Sequence, residues 1–197
     1  VVTIMPKVLD DEQIYRAVIQ TVSENGYTGS RTKELAAAAG ISEVTLFRKY
    51  GSKEQLVKAS ISFIIGQVDL KSASKYTGDV HADLTRMVKI YHDFAIEYGD
   101  FFSVMIFELQ RHLDLLDIVN EPYSIVLSFV ELMARYQNEG LLVKEHPLIA
   151  WASLVSPILI AFNMQKVVPD FGLQIEDIRD HVTNFLAGRL NKTTKSF

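Results

Sequence analysis

Cysteine is absent from the chain, which rules out disulfides, thiolate catalysis and cysteine-held metals. The sequence also lacks HExxH, P-loop and GxGxxG patterns, any evident nucleophile signature, and the ExxH pairing of di-metal helical bundles. His81 and His92 are eleven residues apart, which aligns them on one helix but separates them by about 16 Å, too far for shared metal ligation. No catalytic residue, metal or cofactor is therefore expected, and the chain reads as a non-enzyme. No basic segment leading into an apolar run opens it, so no signal peptide is expected and the cytoplasm is the expected compartment. Strictly alternating runs and internal repeats are missing too, which points away from sheets and solenoids.

One absence is local: residues 147–164 carry no charge. A stretch of that length is at the lower limit for crossing a bilayer. Ser153, Ser156, Pro157 and Asn163 interrupt it, and Lys144, Glu145 and Lys166 flank it without an inside–outside bias. It is read as a buried helix kinked at Pro157, not as a membrane span. Apolar residues, by contrast, are abundant at 48%, with a positive mean hydropathy. That is high for a monomer with a wet surface, and implies a buried oligomer interface, a lipophilic pocket, or both.

Helical periodicity runs through nearly all of the 197 residues. A first helix is expected over 10–25, opened by an Asp10/Gln13 variant of the capping box, faced by Ile14, Ala17, Val18 and Val22, and ended by Gly26. Ser52 caps a helix over 52–70, and Ser72 to Gly78 is the best break. Val80 to Tyr98 keeps an apolar stripe, and Asp100 opens a separate helix from Phe101 to His112. Further helices are expected from Pro122 to Asn138, Pro147 to Val167 and Ile175 to Leu190. The fold class is all-α.

The stretch GYTGSRTKELAAAAGISEVTLFRKYGSKEQL, Gly26 to Leu56, is the most informative. Thr32 to Ala39 is an alanine-rich helix, Gly40 stands where the chain must reverse, and Ser42 offers an N-cap to a second helix ending near Tyr50. Leu35, Ala36, Ile41, Leu46 and Phe47 would pin the two helices together. Glu43, Val44, Thr45, Arg48 and Lys49 are left for solvent or a groove. That is a helix–turn–helix with the second helix as DNA reader. The net charge of −4 is unevenly spread. Residues 26–53 hold five cations against two carboxylates, a local +3 within an acidic body. Such a small basic face suits binding at one short site, with dimerisation adding affinity.

This string resembles the DNA-binding domain of the TetR/AcrR family of transcriptional regulators. The resemblance rests on Gly26-Tyr27, Leu35-Ala36, Ala39-Gly40-Ile41-Ser42, Thr45-Leu46-Phe47-Arg48-Lys49-Tyr50 and Ser52-Lys53-Glu54-Gln55-Leu56. Two departures are Phe47, where the family usually has a tyrosine, and Val44, where a small residue is common. The resemblance implies a DNA-binding domain over 1–55 and a helical effector-binding and dimerisation domain over 56–197. It implies a homodimer through the last two helices, a double-stranded DNA operator of palindromic form, and release by a small-molecule effector. It implies no membrane partner, and in families of this look a repressor is the common case.

Residue roles can be assigned as expectations. Thr28, Ser30, Arg31, Thr32 and Lys33 lie where amides, hydroxyls and cations can take phosphate, although Ser30 also fits a helix cap. Ser42 caps the reader, Glu43 can accept from a cytosine amino group or simply favour the helix N-terminus, and Val44 or Thr45 can pack on a thymine methyl. Phe47 can touch sugar with its ring edge, while Arg48, Lys49, Tyr50 and Lys53 face the backbone. For the effector, Phe94, Phe101, Phe102 and Met105, with Phe129, Met133 and Trp151, are candidate wall residues, most of them ordinary core. Glu108, among these aromatics, would recognise a cationic lipophile or pair with Arg111 or another base. Two other functions remain open: a DNA-binding regulator or activator without an effector, and a helical carrier or enzyme on the same frame. The near-neutral first 55 residues, seven basic and seven acidic, keep the latter open.

Overall fold

A computed structural model describes residues 10–112, 117–118, 120–172, 175 and 177–191. The fold is all-α. Among the described residues the helices are α1 (Asp11–Gly29), α2 (Thr32–Ala38), α3 (Glu43–Tyr50), α4 (Lys53–Gly66), α5 (Leu70–Ala73), α6 (Val80–Leu109), α7 (Asn120–Asn138), α8 (Pro147–Val167) and α9 (Ile178–Ala187). An antiparallel bridge joins Leu142 and Leu190. The chain divides into two compact units, one built up to Gln67 together with Asp100–Glu121, the other from Val68–Gly99 together with Pro122 onward.

In the first unit, α1 packs on α2 and α4, and α3 bridges α2 and α4. The apolar face of α1 is Ile14, Val18 and Val22, all essentially inaccessible, closed by Leu35, Leu46, Leu56 and Ile64 from the other helices. Asp10 sits at the expected N-cap with extended backbone, but its side chain makes no cap hydrogen bond, so the capping-box expectation does not hold. Gly26 breaks the helical path with φ 75 and ψ 165, and one further turn continues to Gly29. Helix α2 ends in a Schellman motif: the Gly40 amide donates to Ala37 O and the Ile41 amide to Ala36 O, each at 3.0 Å. This needs a left-handed residue, and Gly40 supplies it with φ 67. Ser42 and Ser52 then cap α3 and α4, accepting from the Thr45 and Gln55 amides at 3.1 Å. α4 ends at Gly66, four residues short of the expected end.

In the second unit, Leu84, Met87, Val88 and Ala95 of α6 pack with Leu132, Met133 and Tyr136 of α7, Leu154 and Ile158 of α8, and Val182 and Leu186 of α9. α6 is one helix of 30 residues, about 45 Å long at the usual rise, and not two helices parted at Gly99-Asp100. Its apolar spacing continues without a slip through Ala95, Tyr98, Phe101 and Met105, all buried. Gly99 is needed for another reason: a Cβ there would lie 2.6 Å from Phe162 Cε1. The glycine signals close packing against α8, not a helix end.

Helix α8 is long and apolar enough to cross a membrane by length and composition, and 22% of its most apolar stretch is buried in the chain. Ser153, Ser156 and Asn163 satisfy themselves on carbonyls four residues back. α9 begins at Ile178, capped by Asp177, which accepts from the Arg179 and Asp180 amides at 2.6 and 3.2 Å. The start expected at Ile175 runs across Glu176, outside the described residues.

This unit buries a charged side chain, Asp83. Its carboxylate is wholly buried. Thr77 donates to it through amide (2.6 Å) and hydroxyl (2.7 Å), Arg86 donates at 2.8 Å, and the Tyr136 hydroxyl donates as well. Burial pushes the Asp83 carboxyl up, but these donors outweigh it and hold it below the ordinary aspartate range. Arg86 also donates to Ser72 O at 2.6 Å and to Lys75 O, so this one cluster fixes the segment before α6.

Candidate nucleic-acid interface

Helix α3 is attached by one fully buried side chain, Leu46. Its other face is presented outward. Glu43 and Phe47, and Val44 and Arg48, are four residues apart and share that face. Val44 is 77% exposed and Phe47 45%, an unusual display of apolar surface on so short a helix. Phe47, expected in part as core, therefore lies outside it. Arg48 and Lys49 are also exposed. Lys49 pairs with Asp11 at the start of α1, and its ammonium lies 5.5 Å from the Tyr50 ring centroid.

Several expected contacts are committed elsewhere. Ser30 is inaccessible, and its hydroxyl donates to Thr21 O (3.1 Å) and Gly26 O (2.7 Å), so its side chain holds the turn and is not offered to phosphate. Nor is it the cap of α2: Arg31 occupies the N-cap, and its amide donates to Glu34 at 3.0 Å. The Tyr50 hydroxyl is buried and its ring packs edge-on against Tyr15, which corrects the backbone-facing role. Burial raises the Tyr50 phenol well above its ordinary range, with Tyr15 adding to the effect. Lys53 donates to Tyr27 O and sits 4.0 Å from the Tyr27 ring centroid. Its half-buried site lowers its pKa by desolvation, which Glu108 and Glu34 partly oppose. The Thr45 hydroxyl lies 2.8 Å from that of Ser42. Thr28 donates to Glu108. Arg31 and Lys33 stay exposed and Thr32 is half-buried.

The family model for bacterial regulatory proteins of the tetR family matches residues 14–60, the span of α1 to α4 just described. That segment is a TetR-family DNA-binding domain. It is 38% identical over 52 residues to the uncharacterized HTH-type transcriptional regulator YvkB of Bacillus subtilis (strain 168), a match covering 26% of this chain and 28% of that protein. A TetR-family transcription regulator from Marinobacter aquaeolei VT8 has the same fold, with TM-score 0.73, 18% identity, and 95% and 100% of the two chains covered. The flavonoid-responsive regulator FrrA gives TM-score 0.63 at 18% identity, covering 92% of this chain and 97% of that one.

The candidate effector residues fall into both units. Phe101, Phe102, Met105 and Glu108 belong to the first; Phe94, Phe129, Met133 and Trp151 belong to the second. Phe101, Met105, Phe129 and Met133 are core residues, at most 3% exposed. Trp151 meets Tyr91 edge-on at 6.1 Å, and its indole Nε1 is buried without an acceptor among the described residues. The amide Nε2 of Gln137, a residue 4% exposed that sequence reasoning did not select, is in the same condition. Glu108 is revised most: its carboxylate faces Thr28 and His112, not an aromatic wall or Arg111. No cluster of metal-binding side chains occurs among the described residues.

Proposed function

We propose that this chain is a cytoplasmic, sequence-specific DNA-binding transcriptional regulator, acting as a repressor, with α3 as the groove reader. The observation that carries the reading is α3 itself: a Ser42-capped helix behind a Gly40 turn, with Leu46 as its one fully buried side chain, exposing Val44 and Phe47 beside Arg48 and Lys49. Apolar side chains displayed next to cations fit a groove that offers thymine methyls between phosphates. Arg31 and Lys33 at the start of α2, with Arg48 and Lys49, supply the phosphate term. One helix this short reads few base pairs, so two copies spaced about 34 Å apart on a palindrome are required. The apolar exposure of Leu148, Ile149, Ile160 and Val167 on α8 supports α8 and α9 as the homodimer face. The functional division is taken as 1–55 for DNA and 56–197 for effector and dimer. FrrA, a flavonoid-responsive protein of this fold, supports release by a small ligand. Trp151 Nε1 and Gln137 Nε2 are both donors, and favour a lipophile bearing oxygen acceptors.

The test is binding of purified protein to the DNA upstream of its own gene and to duplexes selected from a random pool, across a salt series. Saturable binding that weakens with salt is expected. Lys49→Ala should lower affinity at every sequence and reduce the salt slope by about one. Binding to a selected duplex no tighter than to random DNA would overturn the reading. A thermal-shift screen with lipophiles tests the effector. No hits would favour a regulator without one, a reading the filled positions of Phe129 and Met133 also support.

A further inference from the structure

We propose that Glu108 is a positioning residue for DNA reading: from the end of α6 it holds the Gly26–Ser30 turn, through Thr28, and so fixes where α2 begins. The inference rests on the DNA-reading function above. The turn has little to hold itself in place, since Thr28 and Gly29 are exposed and Tyr27 is only half-buried. Ser30 pins it to α1 from within. The Ser30 amide closes the turn on Gly26 O at 3.1 Å, and further contacts arrive from distant sequence. Glu108 Oε2 accepts from the Thr28 hydroxyl at 2.9 Å, eighty residues away. Glu108 Oε1 lies 3.0 Å from the point where a Cβ on Gly26 would stand, so any other residue there would crowd the carboxylate, and the φ of 75 itself favours glycine.

His112 completes the arrangement. Its Nε2 is 2.9 Å from Thr28 Oγ1 and 3.5 Å from Glu108 Oε2, and its ring centroid is 6.1 Å from that of Tyr27. A hydroxyl has one proton, and here it goes to the carboxylate. Thr28 must then accept from His112, so Nε2 is the protonated nitrogen. Lys53, at the first position of α4, closes the other side by donating to Tyr27 O. The hydroxyl of Thr28 is therefore engaged in both directions and contributes to DNA binding through the turn, not by touching phosphate. Arg31, three residues on, begins α2 from whatever position this turn gives it.

The experiment is a double-mutant cycle in the full chain, read three ways: affinity for a duplex selected by the wild type, thermal midpoint, and amide hydrogen exchange over residues 27–34 of the free protein. Glu108→Ala and Thr28→Val should each weaken binding about tenfold, the scale of one charge-assisted hydrogen bond. Exchange in the turn should quicken, with little change in thermal midpoint. The double variant should be no worse than either single one, and Thr28→Ser and Glu108→Gln, which keep a donor and an acceptor, should restore most of the affinity. Additive losses would show that Thr28 touches DNA itself and would overturn the proposal. So would unchanged affinity, or losses that simply track thermal midpoint. If the wild type selects no duplex, the DNA-reading function fails instead. The exchange arm still decides: unchanged or additive exchange in the turn removes the positioning role.

Discussion

Helices α3 and α6 are held in place by different means, and the contrast explains much about this chain. α3 has eight residues and one buried anchor, Leu46. Its ends are set by local chemistry: Ser42 at the start and Gly51 at the finish. α6 has thirty residues, and buried Leu84, Met87, Val88, Ala95, Tyr98, Phe101 and Met105 hold it at successive turns. For the short helix, caps count for much because little packing supports it. For the long one, packing overrides local signals, and a Gly-Asp pair inside it interrupts nothing. A helix that is to read another molecule must leave most of its surface free, so the proposed role of α3 is compatible with its shallow burial.

Substitutions can break that contrast. The largest stability loss should come from Asp83→Ala, which strands Arg86, Thr77 and Tyr136 around a buried vacancy and should cost about 3–5 kcal/mol in urea unfolding. If α3 and its neighbours retain DNA binding at temperatures where the variant is still folded, the two regions are energetically separable. The same carboxyl sets a pH limit. Its folded pKa is depressed, so its contribution is complete above the unfolded value of about 4 and is lost as pH falls through the lower folded value. A pH series of unfolding free energies should show that acid loss in the wild type and a flatter limb in Asp83→Asn.

Next in size is Gly99→Ala. The new methyl would meet the Phe162 ring, and overpacking of this kind costs about 1–3 kcal/mol. An unchanged thermal midpoint would mean that Phe162 turns aside freely. Ser42→Ala should cost about 1 kcal/mol. Its effect on DNA affinity should exceed its effect on stability, because α3 has so little else to order it. Equal effects would erase the distinction between the two helices. The smallest stability effect is Asp11→Asn, an exposed partner of Lys49 whose loss should cost under about 1 kcal/mol. DNA binding in titrations should tighten modestly, because Lys49 no longer has a competing carboxylate.

The helices of the first unit were legible because their signals are local. Ser42, Ser52 and Gly40 sit within a turn of the elements they delimit, and the structure uses each as its chemistry suggests. Asp10 marked the start of α1 without capping it. The candidate site was legible only in part. Exposure of Val44, Arg48 and Lys49 follows from helical spacing around Leu46. The commitments of Thr28, Tyr50 and Lys53 do not, because their partners lie in other elements: Glu108, Tyr15 and Tyr27. Gly26 carried the one local hint, a glycine where a close approach occurs, but nothing in the sequence identified the group approaching it.

The sequence by itself determined the all-α class, the helix–turn–helix with its turn glycine, and the exposure of Val44, Arg48 and Lys49 on α3. These follow from 3.6-residue spacing and from hydrogen bonds made within a few residues. Tertiary structure alone decided that α6 runs unbroken past Gly99, that Lys53 serves the turn, and that Glu108 faces Thr28. Those outcomes depend on which side chains from remote segments meet in the fold. A carboxylate has no partner until packing brings one to it.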